Sequence, residues 1–407
     1  MLNLDFADPK TNADPFPLYA QLRQRDPVHW SSAMKAWVIT RYDDVKRVAV
    51  ANTGISAERL APFFATVPAD SQGSYAHLMT YLGKWMVFRD PPEHTRLRRL
   101  FTKAFTSRSV KLLEPNVEQI VGLLFDEMEK KSRSTGVVDW IADFAYPLPA
   151  TVMMDLLGVP REDLHLVKDW SDDIALFIGT SRATADKYLR AEAGAKAMAD
   201  YFRGVLAKRV ADPQADMISQ LVSSRDDREA LTDDEVIATC ILLLFAGHET
   251  TTNLIGNGLY YTMKSPEQWR RLKDESSLVE PAVEEWLRYD GPSGALARVV
   301  TADVDFGGKR LLRGQRLFAF INAANRDPEQ FADADRFDVS RSPNAHLTFG
   351  HGIHFCLGAQ LARLEGQIAL RSLIERFPDI SLATAGAPEW KDSLILRGLQ
   401  SLPVRLR

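Results

Sequence analysis

The sequence predicts a single, mainly α-helical domain with a smaller β region. Its 407 residues are 45% hydrophobic and 26% charged, which is the composition of an ordinary globular protein. Helical spacing of apolar residues dominates from residue 92 to residue 289. No internal repeat and no Pro-, Gly- or Ser-rich tract divides the chain. We therefore expect residues 1–407 to form one domain.

Charge and cysteine content argue against two broad classes of protein. The formal net charge is −4, whereas a nucleic-acid-binding protein usually has a basic excess. Cys240 and Cys356 are the only cysteines, which is too few for a disulfide-stabilised scaffold. We expect a protein that works in the reducing cytoplasm and binds no nucleic acid.

No segment of the sequence predicts a membrane anchor. Residues 1–10 do not show the basic stretch followed by an apolar stretch that is typical of a signal peptide. The longest apolar run, residues 237–247, is shorter than the ~20 residues that span a bilayer. We expect neither secretion nor membrane attachment.

The N-terminal part predicts a helix and a β-hairpin. A helix is predicted over residues 15–25, and residues 27–30 and 36–40 predict two strands joined as a hairpin. Residues 52–87 have weak periodicity and scattered aromatic residues, which predicts a loop-rich lid.

The clearest helix begins at Thr232. Thr232 and Glu235 have the spacing of a capping box. The helix runs past Leu254, and its middle is apolar on nearly every face, which predicts a helix buried at the centre of the molecule. From residue 299 short strands alternate with loops until the helix after Cys356. Residues 394–404 predict a final hairpin.

Cys356 lies in a segment that predicts a metal-binding thiolate. Glycines at 350, 352 and 358 let the backbone turn tightly and pass close to a flat group. A helical pattern starts directly after Cys356, and the N–H groups and dipole at a helix N-terminus favour the thiolate. Three histidines lie close by in the sequence: His346, His351 and His354. The paired ligand spacings of a zinc site are missing. The glycines, the cysteine and the helix start together have the local pattern of a haem-thiolate site.

Four segments resemble the motifs of the cytochrome P450 family and follow that family's order. Residues 90–98 are similar to the start of the helix with propionate ligands, and residues 246–251 to the oxygen-activation motif. Residues 285–288 are similar to the E-x-x-R motif, and residues 349–358 to the haem-binding loop. The resemblance covers essentially the whole chain. It is greatest to the soluble bacterial class, among hydroxylases of macrolides, acyl chains and other secondary metabolites.

The resemblance implies the cytochrome P450 fold, with haem b between a long central helix and the loop that contains Cys356. Cys356 is the expected axial ligand of the iron. Thr250 is expected to hydrogen-bond the oxygen under activation, and Glu249 to serve a proton path through water. A surface glutamate and a capping threonine are the alternative. Ala246 and Gly247 are small and leave room over the haem for dioxygen.

Basic residues are expected to hold the haem propionates. The resemblance assigns this role to His94, Arg98, Arg298 and His354, since a guanidinium fork suits a carboxylate. A solvated basic helix start is the alternative for the first two. Phe349 and Gly358 complete the residues expected to contact haem, and a plain loop role is open for His346 and His351.

Three further residues resemble the structural triad of the family: Glu285, Arg288 and Arg336. A buried Glu–Arg pair of this kind supports the fold rather than the chemistry. Ala334 departs from the proline that the family usually has two residues before this arginine.

The substrate pocket is assigned by position alone. Its expected contacts are Phe63, Phe64, Leu243, Ala246, Ala295, Leu296, Ile395 and Leu396. Ordinary core packing is the alternative for each of them. Their apolar character indicates a hydrophobic or amphipathic small molecule as substrate.

The resemblance implies a haem-thiolate monooxygenase that inserts one oxygen atom of O2 into such a molecule, with C–H hydroxylation as the leading reaction. The chain has no cysteines for an iron–sulfur cluster and no G-x-G-x-x-G motif. Electrons from NAD(P)H are therefore expected through a ferredoxin and its reductase, or a flavodoxin-type donor. We expect a monomer whose docking face includes these basic residues: Arg96, Arg99, Lys103 and Arg363.

Two alternatives to this function stay open. The same fold could act as a peroxygenase or as an oxidative coupling or cyclisation enzyme. A non-catalytic haem sensor is the second alternative, although it would not need the adjacent acid and alcohol at Glu249 and Thr250.

Overall fold

Helices account for most of the structure, a computed structural model that describes residues 8–51, 53–102, 105–180, 184–223 and 231–406. In chain order the helices are α1 (Pro9–Ala13), α2 (Phe16–Arg25), α3 (Tyr42–Val50), α4 (Leu60–Phe64), α5 (Glu93–Thr102), α6 (Ser107–Lys111), α7 (Glu114–Thr135), α8 (Pro147–Leu157), α9 (Leu164–Ile178), α10 (Lys187–Ala211), α11 (Met217–Ser223), α12 (Asp233–Met263), α13 (Pro266–Asp274), α14 (Val279–Asp290), α15 (Ile321–Ala324) and α16 (Ala359–Arg376). Short 3-10 or π turns lie at Gln72–Tyr75, Leu78–Leu82, Met86–Phe88, Ile141–Ala145, Arg161–Asp163, Ser276–Leu278 and Gly352–His354.

The strands of the described residues form three small sheets. They are β1 (Val28–Ser31), β2 (Ala36–Ile39), β3 (Ile55–Ser56), β4 (Val138–Asp139), β5 (Ala295–Val300), β6 (Val304–Phe306), β7 (Lys309–Leu311), β8 (Arg316–Phe320), β9 (Ser381–Leu382) and β10 (Pro403–Arg405). The largest sheet has the order β1-β2-β8-β5-β3, with β2 and β8 parallel and its other neighbours antiparallel. The predicted hairpin is confirmed as β1 and β2, with Trp30 opposite Trp37.

Helix α12 forms the centre of the molecule, as its sequence predicts. The side chain of Thr232 accepts a hydrogen bond from the N–H of Glu235, whose carboxylate accepts one from the N–H of Thr232, so the capping box is confirmed. Gly258 allows α14 to approach closely, since a Cβ at this position would lie 2.1 Å from Cδ2 of Trp286. The indole N–H of Trp286 donates to the hydroxyl of Thr262 at 2.9 Å.

The main hydrophobic core surrounds α12 and includes residues from α7, α8, α10, α14 and α16. Two smaller cores cover the two faces of the five-stranded sheet, one against α3 and the other against α2. This packing holds α12 and the start of α16 on opposite sides of a shared cavity. Among the described residues, no helix combines the length and the apolarity that crossing a lipid bilayer requires.

Three sequence predictions about elements need correction. The final hairpin is wrong, because β10 pairs instead with β4 and β9, through Val404 opposite Val138 and Leu382. The β-rich part begins earlier than residue 299, at the first residue of β5. The lid contains more regular structure than predicted, with α4 and three short turns among its described residues. Its first residue, Asn52, lies outside the described residues.

Candidate active site

A cavity of about 320 Å³ lies between α12 and the segment that precedes α16. Most of its lining is apolar, with contributions from α8, α12 and β5. Polar and titratable side chains are confined to a few positions, which include His94, Arg98, Thr250, His354 and Cys356. An apolar cleft with a few convergent polar groups is typical of a cofactor or substrate site.

The loop with Cys356 is shaped by two glycines and one backbone hydrogen bond. Gly350 and Gly352 have φ angles of +72° and +71°, a conformation that other residues rarely adopt. The N–H of Cys356 donates to the carbonyl of Phe349 at 2.8 Å and closes the loop. Gly358 lies in a turn, but its φ of −85° is ordinary, so the turn itself does not require a glycine. It provides space instead, since a Cβ there would meet no atom within 4 Å.

The surroundings of Cys356 have opposite effects on the pKa of its thiol. Burial raises the pKa of the Cys356 thiol, while the N–H of Gly358 and the charges of Arg98 and Arg363 lower it. Burial is the larger effect. A metal cation in the cavity would reverse this balance, because a coordinating thiol is deprotonated by the ion itself.

One corner of the cavity holds basic groups that form no ion pair among the described residues, although the charge of Asp90 acts on His94 and His354. The rings of His94 and His354 lie 4.3 Å apart, and His94 Nδ1 and His354 Nε2 are buried without a hydrogen-bond partner among the described residues. Within the same residues Arg98 forms no ion pair. Burial, Arg298 and His94 lower the pKa of His354 to about 3, and burial and Arg98 lower that of His94. Such a corner is incomplete until anionic oxygens satisfy its donors.

These features fit a haem group. The two carboxylates of a porphyrin would satisfy the basic corner, the flat macrocycle would pass over Gly358, and Cys356 would face the iron. Phe349, which is buried and lines the cavity, offers an aromatic wall. The predicted positions that line the cavity together are His94, Arg98, Ala246, Gly247, Phe349, His354, Cys356 and Gly358.

Arg298 lies between this cavity and a second, smaller recess. Its side chain lines the recess rather than the cavity. Its charge nevertheless lowers the pKa of His354 on the cavity side and, after burial, that of Arg59 on the recess side. Arg298 is thus close to the basic corner and to a second group of cations.

The cavity face of α12 contains Ala246, Gly247 and Thr250. The hydroxyl of Thr250 donates to the carbonyl of Ala246 at 2.8 Å. Ala246 is open to the cavity, as predicted. Gly247 has a different reason to be small, because a Cβ there would lie 2.6 Å from Cγ and Sδ of Met153 on α8. The missing side chain of Gly247 therefore allows two helices to pack closely.

Glu249 is buried but is not among the cavity-lining residues. Its carboxylate forms an ion pair with Lys391 at 2.6 Å and accepts a hydrogen bond from Asn253. Burial would raise the pKa of Glu249, but Lys391 and His248 outweigh it and hold it below its usual value. The carboxylate is therefore ionised and is connected to the partly exposed Lys391.

The structure separates the predicted substrate contacts into three groups. Leu243, Ala246, Ala295, Leu296 and Ile395 line the cavity as predicted. Phe63 lines the smaller recess instead. For Phe64 and Leu396 the prediction of a substrate contact is wrong. Phe64 stacks on Phe177 at 6.2 Å and lines a separate recess, and Leu396 is buried in the main core beside its β-bridge to Ser293.

Sequence reasoning missed several residues that line the cavity. Met86 and Met153 belong to it, as does Glu365 of α16. Met153 has no sequence signal, because most of its neighbours in the helix are apolar as well. Glu365 has one, since it is a lone carboxylate on the apolar face that follows Cys356. It is fully enclosed and its Oε2 has no partner in the described residues, and burial raises its pKa well above the usual value.

The structural triad is confirmed for two residues and corrected for the third. Arg288 forms a fully buried, two-bond ion pair with Glu285, at 2.7 and 2.8 Å. The side chain of Arg336 points away and pairs with Asp338, so only its carbonyl contacts Arg288. Arg341 takes its place, with Nε 3.3 Å from Glu285.

The nearby histidines and basic residues have individual partners. His346 pairs with Glu284 at 3.1 Å, and His351 is exposed. In the predicted docking face Arg96 pairs with Glu93 and Glu235. In the same predicted face Arg363 pairs with Glu284, and Lys103 lies outside the described residues.

Comparisons with known proteins agree with this geometry. The family profile described as cytochrome P450 matches residues 26–392. The biotin biosynthesis cytochrome P450 of Bacillus subtilis is 37% identical over 396 residues, which are 96% of each chain. Cytochrome P450 monooxygenase PikC of Streptomyces venezuelae is 37% identical, over 100% of this chain and 93% of that protein. The crystal structure of P450BioI in complex with a hexadec-9Z-enoic acid ligated acyl carrier protein is similar with a TM-score of 0.89, 35% identity and coverage of 98% and 100%.

The chain therefore belongs to the cytochrome P450 family. Its fold is the cytochrome P450 fold, and it is a haem-thiolate monooxygenase with bacterial relatives. The family implies haem b and O2 as its cofactor and co-substrate.

Proposed function

We propose that residues 1–407 form one haem domain that hydroxylates a hydrophobic or amphipathic small molecule. The observation that supports this most is the convergence, on one apolar cavity, of Cys356, an unpartnered basic corner and the hydroxyl of Thr250. Cys356 would bind the iron, and His94, Arg98 and His354, joined by the adjacent Arg298, would bind the propionates. The bound haem supplies the iron at which dioxygen is reductively activated.

Thr250 is proposed to hold a proton at the cavity surface of α12. Its hydroxyl donates to the carbonyl of Ala246, which leaves its oxygen lone pairs available to accept from water in the cavity. Rotation of the hydroxyl exchanges donor and acceptor roles and passes a proton inwards. Positioned donors of this kind typically contribute about 10²–10⁴-fold to a proton-transfer step.

Glu249 is proposed to feed this position from the solvent side. Its carboxylate is buried and ionised beside Lys391, whose side chain is 28% exposed. Because the acid adjoins Thr250 in the helix, a change of its rotamer would connect the partly exposed end of the ion pair to the cavity. Glu249 thus acts on the proton supply and does not touch the substrate.

The lining of the cavity supports an apolar substrate. Leu243, Ala295, Leu296 and Ile395 offer no hydrogen-bonding side chain, so binding there depends on burial of hydrocarbon. The solved relative in complex with a hexadec-9Z-enoic acid ligated acyl carrier protein is an example of a protein of this fold that binds an acyl-bearing partner. We propose an acyl-chain-like or comparably elongated molecule.

We propose that electrons from NAD(P)H reach the haem through a ferredoxin and its reductase, or a flavodoxin-type donor. The cysteine content supports a separate donor, since Cys240 is buried and Cys356 lines the cavity. The ion pairs of Arg96 and Arg363 reduce the net charge of the predicted docking face. Reversal of the charge at Arg99 would test this face as a docking site, with the rate of haem reduction as the measurement. We further propose that the enzyme is a cytoplasmic monomer.

Replacing Thr250 by Ala tests the proton role. We expect electron consumption to continue while product per electron falls about tenfold or more, because protons no longer arrive in order. Hydroxylated product and hydrogen peroxide would be measured per NAD(P)H consumed. Thr239→Ala on the same helix is the control, since Thr239 is buried away from the cavity. Unchanged coupling in both variants would show that Thr250 has no such role.

The alternative functions differ in their co-substrate. A peroxygenase would make product with peroxide alone, whereas the proposed monooxygenase requires reductase and O2. A haem sensor would consume no electrons in the presence of any ligand. Product formation and electron consumption, measured on the same preparation with peroxide and with reductase under air, distinguish both alternatives from the proposed monooxygenase.

A further inference from the structure

The proposed mechanism leaves unused a recess of about 170 Å³ beside the haem cavity. We propose that this recess binds the anionic head group of an elongated apolar substrate, and that Arg59 and Arg316 select for that head group. This rests on the proposed function, because it names the substrate class of the same site. Either a carboxylate or a phosphate monoester has the required anionic oxygens.

The lining of the recess is basic on one side and aromatic on the other. Its cationic residues are Arg59, Lys187, Arg298 and Arg316. No carboxylate is among its lining residues. Its aromatic side includes Phe63, whose ring centroid lies 5.6 Å from those of Phe177 and Tyr188. This combination suits an anion joined to a hydrocarbon chain.

Among the described residues no ion pair neutralises Arg59 or Arg316, whereas the charge of Asp90 partly compensates that of Arg298. Arg316 donates to the carbonyl of Met34 at 2.9 Å, and Arg298 to that of Ala297 at 3.0 Å. Arg59 lies over the ring of Phe88 at 4.8 Å. In the part of the chain that the structure describes, neither Arg59 nor Arg316 forms an ion pair. Carbonyls and an aromatic ring do not cancel a full positive charge.

The three arginines lie close together, because all of them line the same recess. Burial lowers the pKa of Arg59 to about 10, and the charges of Arg298 and Arg316 contribute to that lowering. Burying unpaired cations side by side is unfavourable unless an anion compensates them. Planar guanidinium groups are well suited to bind a carboxylate or phosphate with two hydrogen bonds.

The haem propionates do not account for all of these charges. Arg298 adjoins the basic corner of the cavity and is proposed above to bind a propionate. Arg59 and Arg316 line the recess and do not line the cavity. They are therefore the two arginines whose function a bound haem leaves open.

Residues that line the recess are close neighbours in the chain of residues that line the cavity. Along β5, Ala297 lines the recess and Ala295 lines the cavity, a distance of about 7 Å for two residues of a strand. Two consecutive residues near the C-terminus are divided in the same way: Leu394 lines the recess and Ile395 lines the cavity. A head group bound by Arg59 and Arg316 would thus direct its hydrocarbon chain towards the haem.

Binding of matched C12 probes tests this inference. Dodecanoic acid, dodecyl phosphate and 1-dodecanol would be titrated into the purified holoenzyme by calorimetry, and the shift of the haem absorption band recorded in parallel. In Arg59→Gln and Arg316→Gln we expect the Kd of an anionic probe to rise about tenfold or more, since a charge-assisted hydrogen bond is lost. The Kd of 1-dodecanol should change less than about twofold.

Controls separate recognition from general charge and folding effects. Arg133→Gln removes one positive charge from a side chain that is 79% exposed and remote from the recess, and it should leave every Kd unchanged. Arg59→Lys retains the charge and should recover part of the affinity for anions. The stronger of the two anionic probes identifies the head group as carboxylate or phosphate.

Two results would overturn the inference: equal affinity for acid and alcohol in the wild type, or anion affinity unaffected by both glutamine variants. Failure of the proposed function would look different. In that case the reduced protein under carbon monoxide would lack a thiolate-type band. Calorimetry would still report whether the recess prefers anions.

Discussion

Two buried glutamates near the haem cavity have opposite protonation states for identifiable reasons. Glu249 is ionised, because Lys391 lies 2.6 Å away and outweighs the effect of burial. Glu365 has no such cation, and burial alone raises its pKa well above the usual value. The same type of side chain is therefore charged in α12 and neutral in α16.

Replacing Glu365 by Gln tests the neutral state of this carboxyl. With its pKa raised in the folded state, folding takes up a proton above the unfolded pKa near 4.5, so wild-type stability falls as pH rises. The glutamine amide that replaces it does not titrate. We expect the variant to gain stability over wild type at pH 7 and to lose that advantage near pH 4. Thermal unfolding at several pH values measures this.

Glu127→Gln is the control, because its carboxylate is 70% exposed. Its difference from wild type should be small at every pH. A Glu365→Gln variant that is least favourable at pH 7 would show that the native carboxyl is ionised.

At the scale of elements, α12 depends on close approach by its neighbours. Gly258→Ala places a Cβ 2.1 Å from Cδ2 of buried Trp286, and one helix must move. We expect the free energy of unfolding to fall by about 1–3 kcal/mol, as is typical of overpacking. Gly204→Ala in α10 is the matched control, since its Cβ meets nothing within 4 Å. This substitution should raise the free energy of unfolding by about 0.5–1 kcal/mol. Chemical denaturation measures both changes.

The opposite order of stabilities would contradict the packing described for α12 and α14. Equal effects of the two substitutions would do so as well, because helix propensity alone would then explain both.

Elements with local signals could be predicted, and those that depend on distant partners could not. The capping box at Thr232 and the spacing of β1 and β2 are contained within short segments. Strand β10 pairs with β4, whose residues lie more than 260 positions earlier, and no pattern in residues 394–404 indicates this partner. Strand register of this kind is decided by tertiary packing.

The candidate site follows the same division. Cys356, Thr250 and the basic corner could be assigned because short motifs contain them. Arg59 and Arg316 come from α4 and β8 regions far apart in sequence, and only the fold brings them to one recess. Arg341 replaced Arg336 in the triad for a related reason, since two arginines in one irregular loop differ only in the direction of their side chains.

At the scale of the whole molecule, Glu284 links three parts of the fold. It lies on α14, accepts two hydrogen bonds from Arg363 of α16 at 2.6 and 2.9 Å, and pairs with His346 before the Cys356 loop. Burial would raise the pKa of Glu284, but His346 and Arg363 hold it at about 2. This cluster connects the segment before the Cys356 loop to α14 and α16.

Glu284→Gln tests the link through its pH dependence. Because the folded pKa is lowered, the stabilisation is complete above the unfolded value of 4.5 and disappears as pH falls towards about 2. We expect the variant to be about 2 kcal/mol less stable than wild type at pH 7, with a smaller difference at pH 3.5. A difference that is constant or grows towards acid pH would be inconsistent with an ionised Glu284.

The central claim is that Cys356 binds a haem iron as a thiolate in the cavity between α12 and α16. It is tested most directly by the absorption spectrum of the purified, dithionite-reduced protein under carbon monoxide, with Cys356→Ser as the control. We expect a strongly red-shifted Soret band in the wild type that disappears in the variant. A wild-type band at the position typical of imidazole-ligated haem, or a red-shifted band that survives the substitution, would contradict the account.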